Sequence, residues 1–212
     1  MSETAGLKMF ARSFAQAWAE LGATGDGAGT RDGLLARYAE PQRAYHTTQH
    51  LAECLELCDE FATAAERPAE VASALWFHDA VYDVRASDNE ARSAALAVEA
   101  LTAAGVAADA VRRVRDAVLA TRHSGAPATA DERLVVDVDL AILGAPAARF
   151  AEYEAQIRRE YAFVPESLFR AKRREILRGF LDRPSVYATA PFVARFGAAA
   201  RKNLARAVGD GS

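Results

Sequence analysis

The sequence predicts an all-α protein, a single helical-bundle domain of nine or ten helices. Three observations carry that expectation. Apolar residues recur at helical spacing along nearly the whole chain. Residues that start and stop helices punctuate those recurrences. No stretch alternates apolar and polar residues for long enough to make a useful strand.

The elements follow in order. Leu7, Phe10, Phe14, Trp18 and Leu21 share one face of a helix over 5–22, which the glycine-rich GATGDGAGT ends. A second helix starts after Thr30 and covers RDGLLARYAE. Pro41 marks the connector PQRAYHTT, and Thr47 is a good N-cap for TQHLAECLELCDEFATAA. Pro68 fits the first turn of a helix that carries AEVASALWFHDAVY through to Tyr82. Ser87 and Glu90 have capping-box spacing before ARSAALAVEALTAAG, which stops at Gly105. Further helices are expected at about 107–122, 131–143, 147–162, 165–181 and 191–208, with loops over 23–29, 82–87 and 123–130.

Composition narrows the class of function. The chain has 212 residues, 51% of them hydrophobic, and a formal net charge of -3, which suits a globular domain and argues against a dedicated nucleic-acid binder. No apolar run approaches the ~20 residues that span a bilayer. The N-terminus carries Glu3 early and has no basic segment followed by a purely apolar one, so it does not read as a signal peptide, and a cytoplasmic location is expected. Cys54 and Cys58 lie four apart on one predicted helix and read as reduced core thiols, with metal ligation as the second reading. Arginine and alanine displace lysine, as in the coding sequence of a GC-rich bacterium. Basic residues concentrate between Arg149 and Arg206, most densely in RAKRREILR. That cluster reads either as a solvated helix face or as a source of arginines for an anionic substrate.

The chemistry concentrates in the histidines and three carboxylates. The chain has only four histidines, His46, His50, His78 and His123. His50 falls in the first turn of the third helix, and His78 with Asp79 lies inside the apolar ALWFHDAVYD. Asp137 and Asp139 sit inside the equally apolar VVDVDLAILG. Buried carboxylates need a partner, a shifted pKa or a metal. If the helices pack these residues inward, a divalent cation would satisfy imidazole lone pairs and carboxylate charge together. Mixed nitrogen and oxygen donors suit Mn, Fe, Co, Ni or Zn better than Ca.

The order His50, then His78-Asp79, then a distant Asp139 resembles the signature of the HD superfamily of metal-dependent phosphohydrolases. YHTTQHLAECL, ALWFHDAVYD, DNEARSAALA, VVDVDLAILG and IRREYAFVP together resemble a bacterial group of predicted HD phosphohydrolases. The similarity runs from about Ala44 to the C-terminal ARKNLARAV, which makes 44–182 the expected core and 191–208 the last helix of one HD-type domain spanning 1–212. It implies that His50, His78, Asp79 and Asp139 ligate a divalent transition metal. Residues two apart on a helix point about 200° apart, so only one of Asp137 and Asp139 should face such a site. Asp139, followed by Leu140, better resembles the last motif of the superfamily, which leaves Asp137 as a supporting carboxylate.

The remaining candidates keep several readings. His46 orients a leaving-group oxygen, ligates a second metal, or caps a turn. His123 either ligates a second metal, as extra histidines do in two-metal members of the superfamily, or sits favourably at a helix C-terminus through its charge. Glu90 is either a capping residue, or a supporting carboxylate or general acid–base. Tyr82 and Arg122 are possible phosphate contacts.

The resemblance implies metal-assisted hydrolysis of a nucleotide or other small phosphorylated metabolite, with Asp79 aiming the attacking water. Two other classes stay open: an HD-fold di-iron oxygenase, and a non-catalytic helical module with a structural metal.

Overall fold

Periodic apolar spacing, and not capping alone, decides where this chain is helical. The structure is a computed structural model, and it describes residues 3–209. Among the described residues there are ten α-helices, two short 3-10 segments and no strand. The backbone contacts divide the chain into two compact units, one ending at Val138 and one beginning at Asp139. The sequence carries no linker at that point, because the division falls inside a helix.

In the first unit, α1 (Glu3–Glu20) buries Phe10, Phe14, Ala17 and Trp18 on one face. α2 (Ala28–Tyr38) begins earlier than the sequence suggests. Gly27 takes a left-handed φ of 64°, and the Asp26 carboxylate accepts from the Ala28 N–H at 3.0 Å, so the turn chemistry of this pair sets the start instead of Thr30. α3 (Thr48–Glu60) starts as expected, with Thr47 Oγ1 accepting from the Gln49 N–H at 3.3 Å. A 3-10 turn over Ala62–Ala64 then leads to α4 (Pro68–Phe77), whose Pro68 occupies the first turn.

α4 is the centre of this unit. It packs against α1, α3, α5 (Asn89–Ala103) and α6 (Ala108–Ala120), and it is buried nearly all round. Trp76 receives Phe10 and Phe14 edge-on at 5.7 and 5.1 Å and donates from Nε1 to Ser13 Oγ at 3.3 Å. The expected capping box at α5 does not form: Asp88 is the N-cap residue, and no side chain caps the helix. The preceding loop is closed by Asn89, whose side chain accepts from the Asp83 N–H at 3.0 Å and donates to the Asp83 carbonyl at 2.8 Å. α7 (Ala130–Asp139) carries the chain across the division between the units.

In the second unit a 3-10 segment over Leu140–Gly144 precedes α8 (Ala147–Glu160), α9 (Glu166–Leu181) and α10 (Ala190–Val208). α10 packs on the 3-10 segment and on α9. Asn203 donates to the Leu143 and Ala145 carbonyls at 3.0 and 2.9 Å, and Tyr187 Oη donates to the Leu140 carbonyl at 3.2 Å. A Cβ on Gly144 would come within 2.7 Å of the Phe196 backbone oxygen, so this crossing admits only glycine. The basic cluster on α9 is largely a solvated face: Arg170, Lys172 and Arg174 are exposed, while Arg173 turns inward to pair with Glu154. No described helix is long and apolar enough to cross a membrane.

Leu75→Ala, which empties a fully buried position on α4, should cost ~2–5 kcal/mol in urea unfolding. Gly144→Ala should cost ~1–3 kcal/mol, because the close neighbour is backbone as well as side chain, and should register as a lowered Tm.

Candidate metal centre

The His78–Asp79 doublet lies at the end of α4 and not inside it. The sequence pattern carried the helix to Tyr82, but it stops at Phe77, although His78 still has helical dihedrals of -55° and -41°. Tertiary hydrogen bonds end it. The Asp79 N–H donates to Tyr38 Oη at 3.3 Å, and the Val81 N–H donates to Ser93 Oγ at 3.0 Å. The carbonyls of Asp79 and Ala80 turn to Arg43, whose guanidinium donates to them at 2.6 and 3.2 Å. The same guanidinium donates to the His46 carbonyl at 3.1 Å and pairs with Glu40 at 3.1 Å. It is held between the rings of Tyr38 and Tyr82, 5.3 and 5.5 Å from their centroids. Side chains thus replace the bonds that another helical turn would have made.

That termination presents three donor atoms to one another. His50 Nε2 and His78 Nε2 are 3.1 Å apart. Asp79 Oδ2 lies 3.1 Å from His78 Nε2 and 3.5 Å from His50 Nε2. Ligands held at ~2.0–2.2 Å by one tetrahedral or octahedral ion stand about 2.8–3.6 Å apart, so the three separations suit a single cation. Asp139, the last residue of α7, joins the group: His50, His78, Asp79 and Asp139 each offer an atom within 4.8 Å of the others. His50 and His78 are 2% and 1% exposed.

The second ring nitrogen of His78 adds a separate indication. Its Nδ1 lies 2.7 Å from the Leu75 carbonyl, which can only accept, so Nδ1 carries a proton and Nε2 is the nitrogen that faces His50 and Asp79, with its own proton to give up to a cation. A backbone partner of this kind is how metal-binding histidines are usually oriented. Burial opposes ionisation of Asp79. The His78 and His46 imidazoles and hydrogen bonds from His50 and His78 nevertheless hold its carboxyl well below the ordinary aspartate range. Burial pushes the Tyr38 hydroxyl up to about 12, so it remains a neutral donor beneath the doublet.

Other expected residues lie around the group or apart from it. Asp137 is fully buried and is not among the four donors, whereas the half-buried Asp139 is. His46 stacks on Tyr82 with ring centroids 4.0 Å apart and stands 5.9 Å from the His50 ring, outside the group of four. His123 follows α6 with a left-handed φ of 54°, its N–H donating to the Ala120 carbonyl at 3.2 Å, and it too is outside the group. Glu90 lies in the first turn of α5 and is not a member, and Arg122 is exposed.

Two contributors are not evident from the sequence pattern. Arg43 sits in a short connector with no periodicity to reveal its role. Cys54 Sγ lies 3.7 Å from both ring nitrogens of His50. The spacing of four between His50 and Cys54 on one helix was the available signal. Comparison of the chain with protein-family models, curated proteins and solved structures found no match.

Arg43→Lys keeps the charge but loses the fork that serves three carbonyls. It should destabilise the protein by ~1.5–3 kcal/mol in chemical denaturation. Metal affinity, measured by titration under native conditions, should fall in parallel.

Proposed function

We propose that the chain is a metal-dependent phosphohydrolase of HD type, acting in the cytoplasm on a nucleotide or another small phosphorylated metabolite. The observation that supports this reading is the convergence of His50 Nε2, His78 Nε2 and Asp79 Oδ2 within 3.5 Å of one another, with Asp139 alongside. His50, His78, Asp79 and Asp139 would hold a divalent ion such as Mn, Fe, Co, Ni or Zn. Held there, such an ion supplies Lewis acidity toward a phosphoryl oxygen and acidifies water near neutral pH.

The chain's own residues supply position and proton handling. Asp79 turns Oδ2 toward the imidazoles, and Oδ1 is the acceptor that aims the attacking water in line with phosphorus. His46, stacked on Tyr82, is the candidate to give a proton to the leaving oxygen. His123 and Glu90 carry no step in this reading. The negative net charge and the absence of a membrane-length helix among the described residues support a small substrate over a nucleic acid or a membrane.

The test is phosphate or pyrophosphate release from a nucleotide panel by protein loaded with Mn. Turnover should depend on the added ion. Asp79→Asn should lower metal content and turnover by about a hundredfold or more while the circular dichroism spectrum is unchanged. Full turnover at full metal content in that variant would remove the mechanism. Two irons per chain with oxygen uptake would point to the oxygenase instead. Thermal destabilisation by a chelator, without hydrolysis of any substrate, would point to a structural metal.

A further inference from the structure

Cys54 is used by none of the steps above, yet it lies against the centre. It is 2% exposed and sits one helical turn after His50 on α3. Its Sγ is equidistant, at 3.7 Å, from the two ring nitrogens of His50. His50, Cys54 and His78 can each offer one atom within 4.8 Å of the others, and so can His50, His78, Asp79 and Asp139. The two sets share both imidazoles. They differ in what completes them, a thiol in one and two carboxylates in the other.

A tetrahedral ion with ~2.0–2.1 Å bonds to nitrogen and a ~2.3 Å bond to sulfur sets those ligand atoms about 3.6 Å apart. The observed 3.7 Å between Sγ and His50 Nε2 is close to that spacing. The equal distance to Nδ1 shows that the sulfur leans on the ring, so coordination asks for a turn about the Cys54 Cα–Cβ bond. His78 can serve only one set at a time. Its Nδ1 is committed to the Leu75 carbonyl, which leaves only Nε2 to meet a cation. Thiolate donors favour softer ions such as zinc, whereas carboxylates favour harder ones such as manganese.

We propose that His50, Cys54 and His78 form a second, sulfur-containing cation position that competes with the carboxylate position for the same two imidazoles. The inference rests on the metal-centre reading above. A soft divalent ion replaces the thiol proton, which leaves to solvent, and settles on the thiolate side, away from Asp79 and Asp139. A hard ion settles with the carboxylates. Soft ions therefore act as antagonists of the hydrolytic centre, and only one ion binds per chain.

Cobalt(II) added to chelator-treated full-length protein reports on the sulfur directly. Wild type should bind one equivalent and show sulfur-to-cobalt charge-transfer absorption. Cys58→Ser and Asp139→Asn should keep that absorption, and Cys54→Ser should lose it. Cys54→Ser should also weaken zinc binding by about tenfold or more while manganese binding changes by less than about twofold.

One equivalent of cobalt bound by wild type without charge-transfer absorption overturns this proposal and leaves the carboxylate centre standing. Loss of the absorption in Cys58→Ser, with retention in Cys54→Ser, also overturns it. No cobalt or manganese bound by wild type overturns both readings. If Cys54→Ser does not fold, the wild-type and Cys58→Ser spectra still decide the matter.

Discussion

A single buried guanidinium holds the geometry of the centre together. Arg43 has no solvent contact in its side chain, and it spreads its donors over the carbonyls of His46, Asp79 and Ala80 while pairing with Glu40. A buried cation left unpaired would be strongly destabilising, so each acceptor has to stay where the fork can reach it. Two of the three carbonyls belong to the turn that carries Asp79. The third belongs to His46, just before the helix that carries His50. The rigid planar fork therefore ties the segments that carry His50 and Asp79 to one reference point, which a flexible ammonium could not do. Tyr38 reinforces the arrangement with its ring against Arg43 and its hydroxyl accepting the Asp79 N–H.

The reason for ending α4 in this way becomes clear from the donors it exposes. Continuing the helix would return the backbone of Asp79 to helical hydrogen bonds and rotate its side chain with the next turn. Stopping at Phe77 keeps His78 helical enough for its Nδ1 to reach the Leu75 carbonyl, while Asp79 swings beside the two Nε2 atoms. Two imidazole nitrogens and a carboxylate so close together in a nearly dry interior form an arrangement that needs a shared proton or a cation to be stable. Local backbone regularity has been given up where the chemistry is concentrated.

Much of the fold was legible because its signals are local. Thr47 as N-cap, Pro68 in a first turn and the apolar faces of α1, α3 and α6 depend on neighbours a few residues away. The polar residues that converge were legible too, since His50, His78, Asp79 and Asp139 stand out against apolar surroundings. What could not be read was set by distant partners. Ser93 and Arg43 end α4, and Ser87 and Glu90 have the spacing of a capping box without forming one. Helix geometry allowed only one of Asp137 and Asp139 to face the centre and the resemblance favoured Asp139; a difference of two positions separates a fully buried carboxylate from one among the four donors. Cys54 read first as a core thiol; its spacing of four from His50 puts the two on one helix face but does not say how close sulfur and imidazole come.

The hydrogen bonds around residues 140–145 bear on the order in which the chain can assemble. The residues immediately after Asp139 are held by Tyr187 and Asn203, whose bonds span 47 to 60 residues of sequence. In vectorial synthesis those anchors leave the ribosome well after His50, His78 and Asp79. The segment that follows the fourth candidate donor is therefore secured later than the other three.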